Sequence, residues 1–401
     1  MKILLLTASL PYPPQSGGAL RTYSIIRGLA EAGHNITLLS YHNGSPVTPQ
    51  SPITQLCQRI VTVYPPDWNK IKRLRYLVFS GQPDIALRLQ DIQFAEKLKK
   101  LTRTEDFDVV QAEGIEIAGY LRLVRTLLPN AKLIYDAFNA EAALQRIVAK
   151  IDATQPRRWL QSIYSFIQTK RIERYESELV RSADAVICVS EEDANLLRAY
   201  APQKKLHVVP SSIFVDDYEV DSDRIELPRN SLVFTGKMDY RPNVDAMLWF
   251  HETMLPYLPD IHLTIVGQQP HPRLTHIAQN DRIQITGWVQ DVIPYMRAAD
   301  IYIAPLRMGS GTRLKLLEAM ACGCAIVATT IAAAGLSPEA KKAMVIVNEP
   351  NEFVMAIRDL LANPHMRTIM GIKAKTVVKK YYDWSAVNPR LLEVYESLRN
   401  G

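Results

Sequence analysis

Two short stretches gather cations and glycines where an anion can be held. The first is PLRMGSGTRLKLLEAMACG, residues 305–323. Gly309, Ser310 and Gly311 follow an apolar run, and a helical pattern begins near Thr312. Backbone N–H groups at a helix start attract anions, aided by the helix dipole. Arg313 and Lys315 add two cations, which suits a diphosphate better than a monophosphate. Glu318 lies further along, roughly 9 Å from Thr312 at ~1.5 Å of rise per residue. It is out of reach of the same phosphate and level with the hydroxyls of an attached sugar. A plainer alternative is a Lys315–Glu318 pair on a solvated helix face, worth about 0.3 kcal/mol. Glycines, cations and acid together describe a nucleoside-diphosphate pocket, with phosphate at the turn and ribose at Glu318.

The second stretch is LTASLPYPPQSGGALRTYS, residues 6–24. Its prolines stiffen the exit from a first strand. Gly17 and Gly18 remove side chains where a helix begins, so backbone N–H groups can approach an anion. Arg21, one turn in, adds charge. The plainer alternative is a loop with a glycine-rich helix start. Neither stretch has the G-x-G-x-x-G spacing of a dinucleotide site or the G-x4-G-K-[ST] spacing of a P-loop. An NAD-dependent oxidoreductase is disfavoured accordingly. A D-x-D triplet, Asp221-Ser222-Asp223, sits inside a polar segment rather than after a strand. It reads as solvated linker, and no metal is expected. The four cysteines (Cys57, Cys188, Cys322, Cys324) show no CxxC pairing and read as buried thiols of a reducing compartment.

The elements that must position these residues are legible as apolar runs. Residues 2–8, 36–41, 59–64, 108–113, 132–137 and 185–190 read as strands, followed by 231–236, 262–267, 283–287, 300–306, 325–329 and 343–347. They are continuously apolar, as parallel strands covered on both faces should be. Helical patterns fall between them, at 20–34, 243–254, 290–298, 312–322 and 351–363, with a long helix at 365–381 and a last one near 385–398. The expected fold is α/β: two Rossmann-like, doubly wound parallel-sheet domains facing across a cleft. The boundaries read as 1–207, with a terminal helix at 384–401 returning to it, and 208–383. Residues 208–230 are acidic, bear proline, lack period and read as the linker.

The chain has 401 residues and a net charge of +6. The excess belongs to residues 1–205, with 27 Lys+Arg against 20 Asp+Glu. Two segments of that half, 67–83 and 155–176, mix basic residues with aromatics: Lys70, Lys72, Arg73 and Arg75 with Trp68, Tyr76 and Phe79 in the first. Such helices can lie on an anionic membrane surface, which would serve a lipid-linked acceptor. The alternative is ordinary helices whose apolar stripe is core. No nucleic-acid module is recognisable. No apolar run reaches the ~18 residues of a membrane span, and MKILLLTASL reads as a first strand, so a cytoplasmic protein is expected, peripheral to the membrane at most.

GSGTRLKLLEAMACGCAIVAT resembles the signature of retaining glycosyltransferases of family 4, within a subgroup built around GSGTR-x-K. The resemblance covers nearly the whole chain. LPYPPQSGGALRTYSIIRGLAEAGHNITLLS is similar to the family's first loop and helix. VICVSEEDANLL, VVPSSIFVDDYE, FTGKMDYRPNVDAMLWF, LTIVGQQP and ITGWVQDVIPYMRAADIYIAPL keep the family's order, and WSAVNPRLLEVYESL resembles its closing helix. The resemblance implies the two-domain GT-B fold, a nucleotide-diphosphate sugar as donor, a saccharide or lipid-linked acceptor and no cofactor.

Position by position, it brings Gly17 and Gly18 to the donor diphosphate. Lys237 falls on the place of a diphosphate-binding Arg. The family's second basic residue falls on Pro242, so Arg241, or Arg313 with Lys315, would substitute. Glu318 matches the second Glu of an E-x7-E motif that holds the ribose, and its first Glu falls on Ser310. The backbone around Trp288 and Val289 would flank the base. Gln111 and Glu113 stand where His is common, Phe138 stands where His is expected, and Ser211-Ser212 replaces a usual Asn-Gly. Asp136, Asn139 and Glu141 remain. The implied chemistry is front-face attack with retention and no covalent intermediate, the donor's β-phosphate taking the acceptor proton. Glu113, Asp136 or Glu141 would orient the acceptor hydroxyl. Two alternatives stand beside a transferase: a nucleotide-sugar epimerase, and a degenerate member that binds nucleotide as a partner subunit.

Overall fold

The computed structural model describes all residues except 15, 45–46, 70–71, 73–74, 77–78, 154–158, 220–224, 310–313 and 400–401, and only the backbone of 151–153 and 159–162. It divides into two units: Met1–Pro210 with Asn388–Gly401, and Ser211–Val387.

The first unit holds a seven-stranded sheet: β1 (Lys2–Thr7), β2 (Asn35–Tyr41), β3 (Arg59–Val63), β4 (Val109–Glu113), β5 (Lys132–Ala137), β6 (Ala185–Cys188) and β7 (Leu206–Val208). Its order is β3-β2-β1-β4-β5-β6-β7, and every pairing is parallel. Ile3, Leu4, Leu5 and Leu6 are wholly inaccessible. Adjacent side chains on a strand point to opposite faces, so burial of all four means that both faces of β1 are covered, as its unbroken apolar run requires. The chain reverses its winding between β1 and β4, which makes the carboxyl ends of these strands the place where a ligand is expected.

The second unit repeats the plan with β8 (Ser231–Thr235), β9 (His262–Val266), β10 (Ile283–Gly287), β11 (Ile301–Ala304), β12 (Ile326–Ala328) and β13 (Val345–Ile346). Its order is β10-β9-β8-β11-β12-β13, and the switch falls between β8 and β11. Two parallel, doubly wound sheets are therefore observed, as the apolar runs require.

Seven helices carry or support the candidate site residues: α1 (Gly17–Glu31), α2 (Glu141–Ala153), α3 (Trp159–Ser182), α4 (Arg241–Thr253), α5 (Leu314–Ala321), α6 (Pro364–Tyr382) and α7 (Trp384–Arg399). Helix α1 starts earlier than its apolar period suggests. The Ser16 side chain caps it, accepting from the Ala19 N–H at 3.3 Å, and such a cap overrides the poor helix propensity of two glycines.

Two sequence expectations are corrected. Strand β7 was not expected, because Leu206–Val208 is too short to form a visible run. The stretch after Pro210 is not loose linker. Ile213 bridges Asp383, the Val215 N–H donates to Asp383 at 3.0 Å, and Val215 and Tyr218 are buried. Contacts with residues far along the chain fix this segment, and no local period announces them. Asp221-Ser222-Asp223 lies outside the described residues. All four cysteines are free and buried. No helix among the described residues is long and apolar enough to cross a membrane.

Candidate functional site

In the second unit the carboxyl ends of β8 and β9 run into Gly236 and Gly267, at φ of +147° and +156°. The Gly236 N–H donates to Val266 O at 3.0 Å, and the Gly267 N–H to Gly287 O at 3.1 Å. A Cβ on Gly267 would sit 1.8 Å from Gly236 O. One on Gly236 would meet Asn243 Nδ2 at 2.7 Å and Lys315 Nζ at 2.8 Å. Both conformation and crowding therefore demand glycine. Backbone and two polar side-chain heads converge at one point on this edge.

Lys315 enters from the first turn of α5. Its ammonium donates to Asn243 Oδ1 at 2.7 Å and lies 4.1 Å over the Phe234 ring. Glu318, one turn on, accepts the Tyr218 hydroxyl at 2.9 Å. Loss of water raises the Glu318 carboxyl above its ordinary range, while the Tyr218 bond and the Lys315 charge pull it back. A carboxylate so placed can accept a further pair of hydroxyl donors, and the cation beside Gly236 can meet an anion.

Lys237 pairs with Asp239 at 3.2 Å, both partly exposed; such pairs are weak enough to exchange for a ligand. Arg241 opens α4. Trp288 is 59% exposed just after β10, with Val289 half-buried beside it. Ser310, Gly311, Thr312 and Arg313 lie outside the described residues.

In the first unit the expected residues form a buried network. Arg21 is 3% exposed. Its fork grips Asp136, Nε to Oδ2 at 2.9 Å and Nη2 to Oδ1 at 2.8 Å, and its Nη1 reaches Val209 O at 3.0 Å. Arg21 was expected to face a donor anion; the structure commits this guanidinium to Asp136, because a buried carboxylate needs a compensating charge. Asp136 lies equally far from solvent. Glu113, at the end of β4, accepts Gln111 Nε2 at 2.5 Å and the Thr22 hydroxyl at 3.2 Å. Gln111 in turn accepts the Tyr395 hydroxyl of α7 at 2.6 Å. Burial, then the Asp136 charge, push the Glu113 carboxyl up to about 8, against the pull of Gln111 and Arg21.

Asn139 and Glu141 meet separately, Nδ2 to Oε1 at 2.8 Å, at the start of α2. Desolvation, then Glu116, raise Glu141 to about 8. Glu176 of α3 accepts the Glu141 backbone N–H at 2.7 Å. Phe138, found where His was expected, lies across α1: a Cβ on Gly18 would be 3.3 Å from its ring. Gly17 is exposed and Gly18 half-buried.

Tyr218, Asn243, Phe234, Thr22 and Tyr395 had no signal of their own in the sequence. Only Asn243 stood near one, a single residue past the displaced basic position at Pro242. Among the described residues no group of three or more His, Cys, Asp or Glu could hold a metal ion.

A cation beside a glycine edge at the carboxyl ends of a doubly wound sheet is a place where an anionic ligand can bind. The family models make the class specific: residues 15–216 match "Glycosyltransferase Family 4", and residues 229–363 match "Glycosyl transferases group 1". The chain belongs to Glycosyltransferase Family 4. A phosphatidyl-myo-inositol mannosyltransferase of Mycolicibacterium smegmatis is 28% identical over 175 residues, 42% of this chain and 45% of that protein; the match spans less than half of that relative. Sucrose-phosphate synthase from Thermosynechococcus elongatus superposes with a TM-score of 0.73 at 17% identity, over 100% of both chains. HepE of Anabaena, solved in complex with UDP-glucose, gives 0.63 at 13% identity, over 99% of this chain and 100% of the other. These structures share the GT-B fold, and the chain is a glycosyltransferase.

Proposed function

We propose that the protein moves a sugar from a nucleoside-diphosphate donor to a saccharide or lipid-linked acceptor, with retention and without a metal, in polysaccharide or glycolipid assembly. One observation carries this reading: Lys315 reaches the glycine edge of the second sheet, and Glu318 stands a turn further along α5. The cation takes the diphosphate and the carboxylate takes the ribose hydroxyls. By the resemblance Lys237, Arg241, Trp288, Val289 and Ser310–Arg313 add to the donor set of the second unit, Gly17 and Gly18 are the first unit's candidates for the diphosphate, and Arg21 supports Asp136 instead. The family, and the UDP-glucose held by HepE, support the donor class.

The bond from the sugar's anomeric carbon to the β-phosphate oxygen breaks as the bond to the acceptor oxygen forms on the same face. The acceptor proton passes to the leaving phosphate. Preorganised N–H groups and Lys315 stabilise the charge that develops there. Asn139 and Glu141 are the best exposed of the acidic-side candidates for orienting the acceptor.

A lipid-linked acceptor is supported by the mannosyltransferase relative, whose name carries phosphatidyl-myo-inositol, and by one face of α3. Ile163, Phe166 and Ile167 are exposed there, Phe166 at 58%, with Lys170 Nζ 5.0 Å from the Phe166 ring. In the other basic–aromatic segment Lys72, Arg75, Tyr76 and Phe79 are exposed; Lys70 and Arg73 lie outside the described residues, as do 155–158. We place this face on an anionic membrane at the cytoplasmic side.

A second reading has a specific observation in its favour. Phe138 against Gly18 and the internal pairing of Arg21 with Asp136 would suit a member that binds nucleotide without turnover. The test is thermal-shift titration with UDP, GDP, ADP and their sugar conjugates, with and without EDTA, followed by turnover with the stabilising donor. Selective stabilisation unaffected by EDTA is expected. Stabilisation without turnover on any acceptor favours the second reading, and no shift with any nucleotide removes both.

A further inference from the structure

By the family resemblance a second basic residue falls on Pro242, and the structure shows that the next residue, Asn243, holds a lysine from another helix. Asn243 is 5% exposed. Its amide has two partners of opposite character: Nδ2 donates to Lys237 O at 2.8 Å, and Oδ1 accepts the Lys315 ammonium at 2.7 Å. This pairing fixes the orientation of the amide, since the reverse would set NH2 against an ammonium and oxygen against oxygen. Both Asn243 Nδ2 and Lys315 Nζ lie under 3 Å from the point where Gly236 would carry a Cβ. The Phe234 ring floors the ammonium from β8.

We propose that Lys315, reaching in from α5, supplies the diphosphate cation missing at position 242, and that Asn243 is its positioning residue. This rests on the donor reading above. A lysine stem has several rotatable bonds, and holding its head in one place costs side-chain entropy. Asn243 meets that cost in advance, as a buried acceptor tied at its other end to the strand-exit loop. Its neutrality is the second point. A carboxylate there would hold the ammonium as firmly but cancel the charge offered to the phosphates. Asn243→Ala and Asn243→Asp are therefore both expected to weaken binding, for different reasons: lost position and lost charge.

The experiment is isothermal titration with the nucleoside diphosphate that stabilises the protein best and with its monophosphate, on the full-length chain. Variants are Asn243→Ala, Asn243→Asp, Lys315→Met and the double variant Asn243→Ala/Lys315→Met. We expect Asn243→Ala to lose about tenfold in diphosphate affinity and about twofold or less in monophosphate affinity, with the double variant no worse than Lys315→Met alone. A merely structural role would lower both nucleotides equally and would add to the Lys315 effect. Wild-type diphosphate affinity in Asn243→Ala, equal losses for both nucleotides, or additive losses each overturn the proposal. Glu318→Ala separates the two levels. Lost affinity there beside an unaffected Lys315→Met defeats this assignment and leaves the donor site standing; unaffected binding in both defeats the donor site itself. Asn243→Gln, which keeps the acceptor, tests an Asn243→Ala protein that fails to fold; it should keep more diphosphate affinity than Asn243→Asp, and the reverse order overturns the assignment.

Discussion

The Tyr218 hydroxyl donates to Glu318 Oε1 at 2.9 Å, joining the first segment of the second unit to the helix that carries the proposed ribose acceptor. Glu318 is deprived of water, which favours its protonated form, and Tyr218 is the strongest of the groups opposing that. A hydroxyl acceptor works best ionised. Tyr218→Phe should therefore raise the Glu318 carboxyl further and weaken nucleoside-diphosphate binding. A hydrogen bond to a charged group contributes ~1.5–3 kcal/mol, so the expected loss is about tenfold or more. It should be largest at low pH, where the carboxyl is already protonating. Affinity measured from pH 5.5 to 8 checks this; a variant that tracks wild type across the range would show that Tyr218 only packs.

The bidentate Arg21–Asp136 pair makes a prediction about folding rather than binding. Both groups are buried, so removing one strands the other. Asp136→Asn should cost about 3–5 kcal/mol, as expected when a buried pair loses one partner. The double change Arg21→Met/Asp136→Leu should cost less, because it removes both charges. Urea unfolding of the three proteins decides it. A double variant less stable than Asp136→Asn would mean that the Arg21 contact to Val209 O, and not the charge pair, carries the stability.

These two pairs mark where the sequence was legible and where it was not. Continuous apolar runs such as KILLLT report burial on two faces directly, and strand order follows from the doubly wound rule, so the fold could be read. The glycine edge at Gly236 and Gly267 could not be read, because the φ and the crowding that demand glycine there depend on distant partners. Nor could Tyr218, Asn243 and Tyr395. Each acts through a partner 72 to 284 positions away, and nothing local distinguishes a tyrosine that will meet a half-buried glutamate from one that will sit in a turn. Arg21 was read as a ligand cation for the same reason: its charge is visible in the sequence, and the carboxylate that claims it, 115 positions on, is not.

Membrane contact through α3 is testable without any substrate. The exposed Ile163, Phe166 and Ile167 supply apolar area, and each fully buried side chain of this type contributes about 1.5–3 kcal/mol when it leaves water. Phe166→Ser should therefore reduce sedimentation with phosphatidylglycerol vesicles roughly tenfold and leave thermal stability unchanged. Raising salt from about 0.05 to about 0.5 M, a span that screens surface charge, should reduce binding of both proteins. Equal binding of variant and wild type would place the contact elsewhere.

Glu113 supplies a stability signature with a defined sign. Its folded carboxyl titrates near 8 against an ordinary value of 4.5, chiefly because burial removes water and because Asp136 lies beside it. Between those values the unfolded chain has released a proton that the folded chain keeps. The unfolded state then binds fewer protons, so stability falls as pH rises. The contribution is complete below about pH 4.5, is lost progressively through neutrality, and stops changing once the folded group ionises near pH 8. Glu141 and Glu176 carry shifts of the same sign, so wild type alone cannot assign the slope. Glu113→Gln keeps the shape and removes one titration. Unfolding free energies at pH 5, 6.5 and 8 should fall less steeply in Glu113→Gln than in wild type, with the gap widest between the first and last. Parallel lines would mean that Glu113 is already ionised in the folded protein, held so by Arg21 and Gln111, and that its carboxylate is available to act as a base at neutral pH.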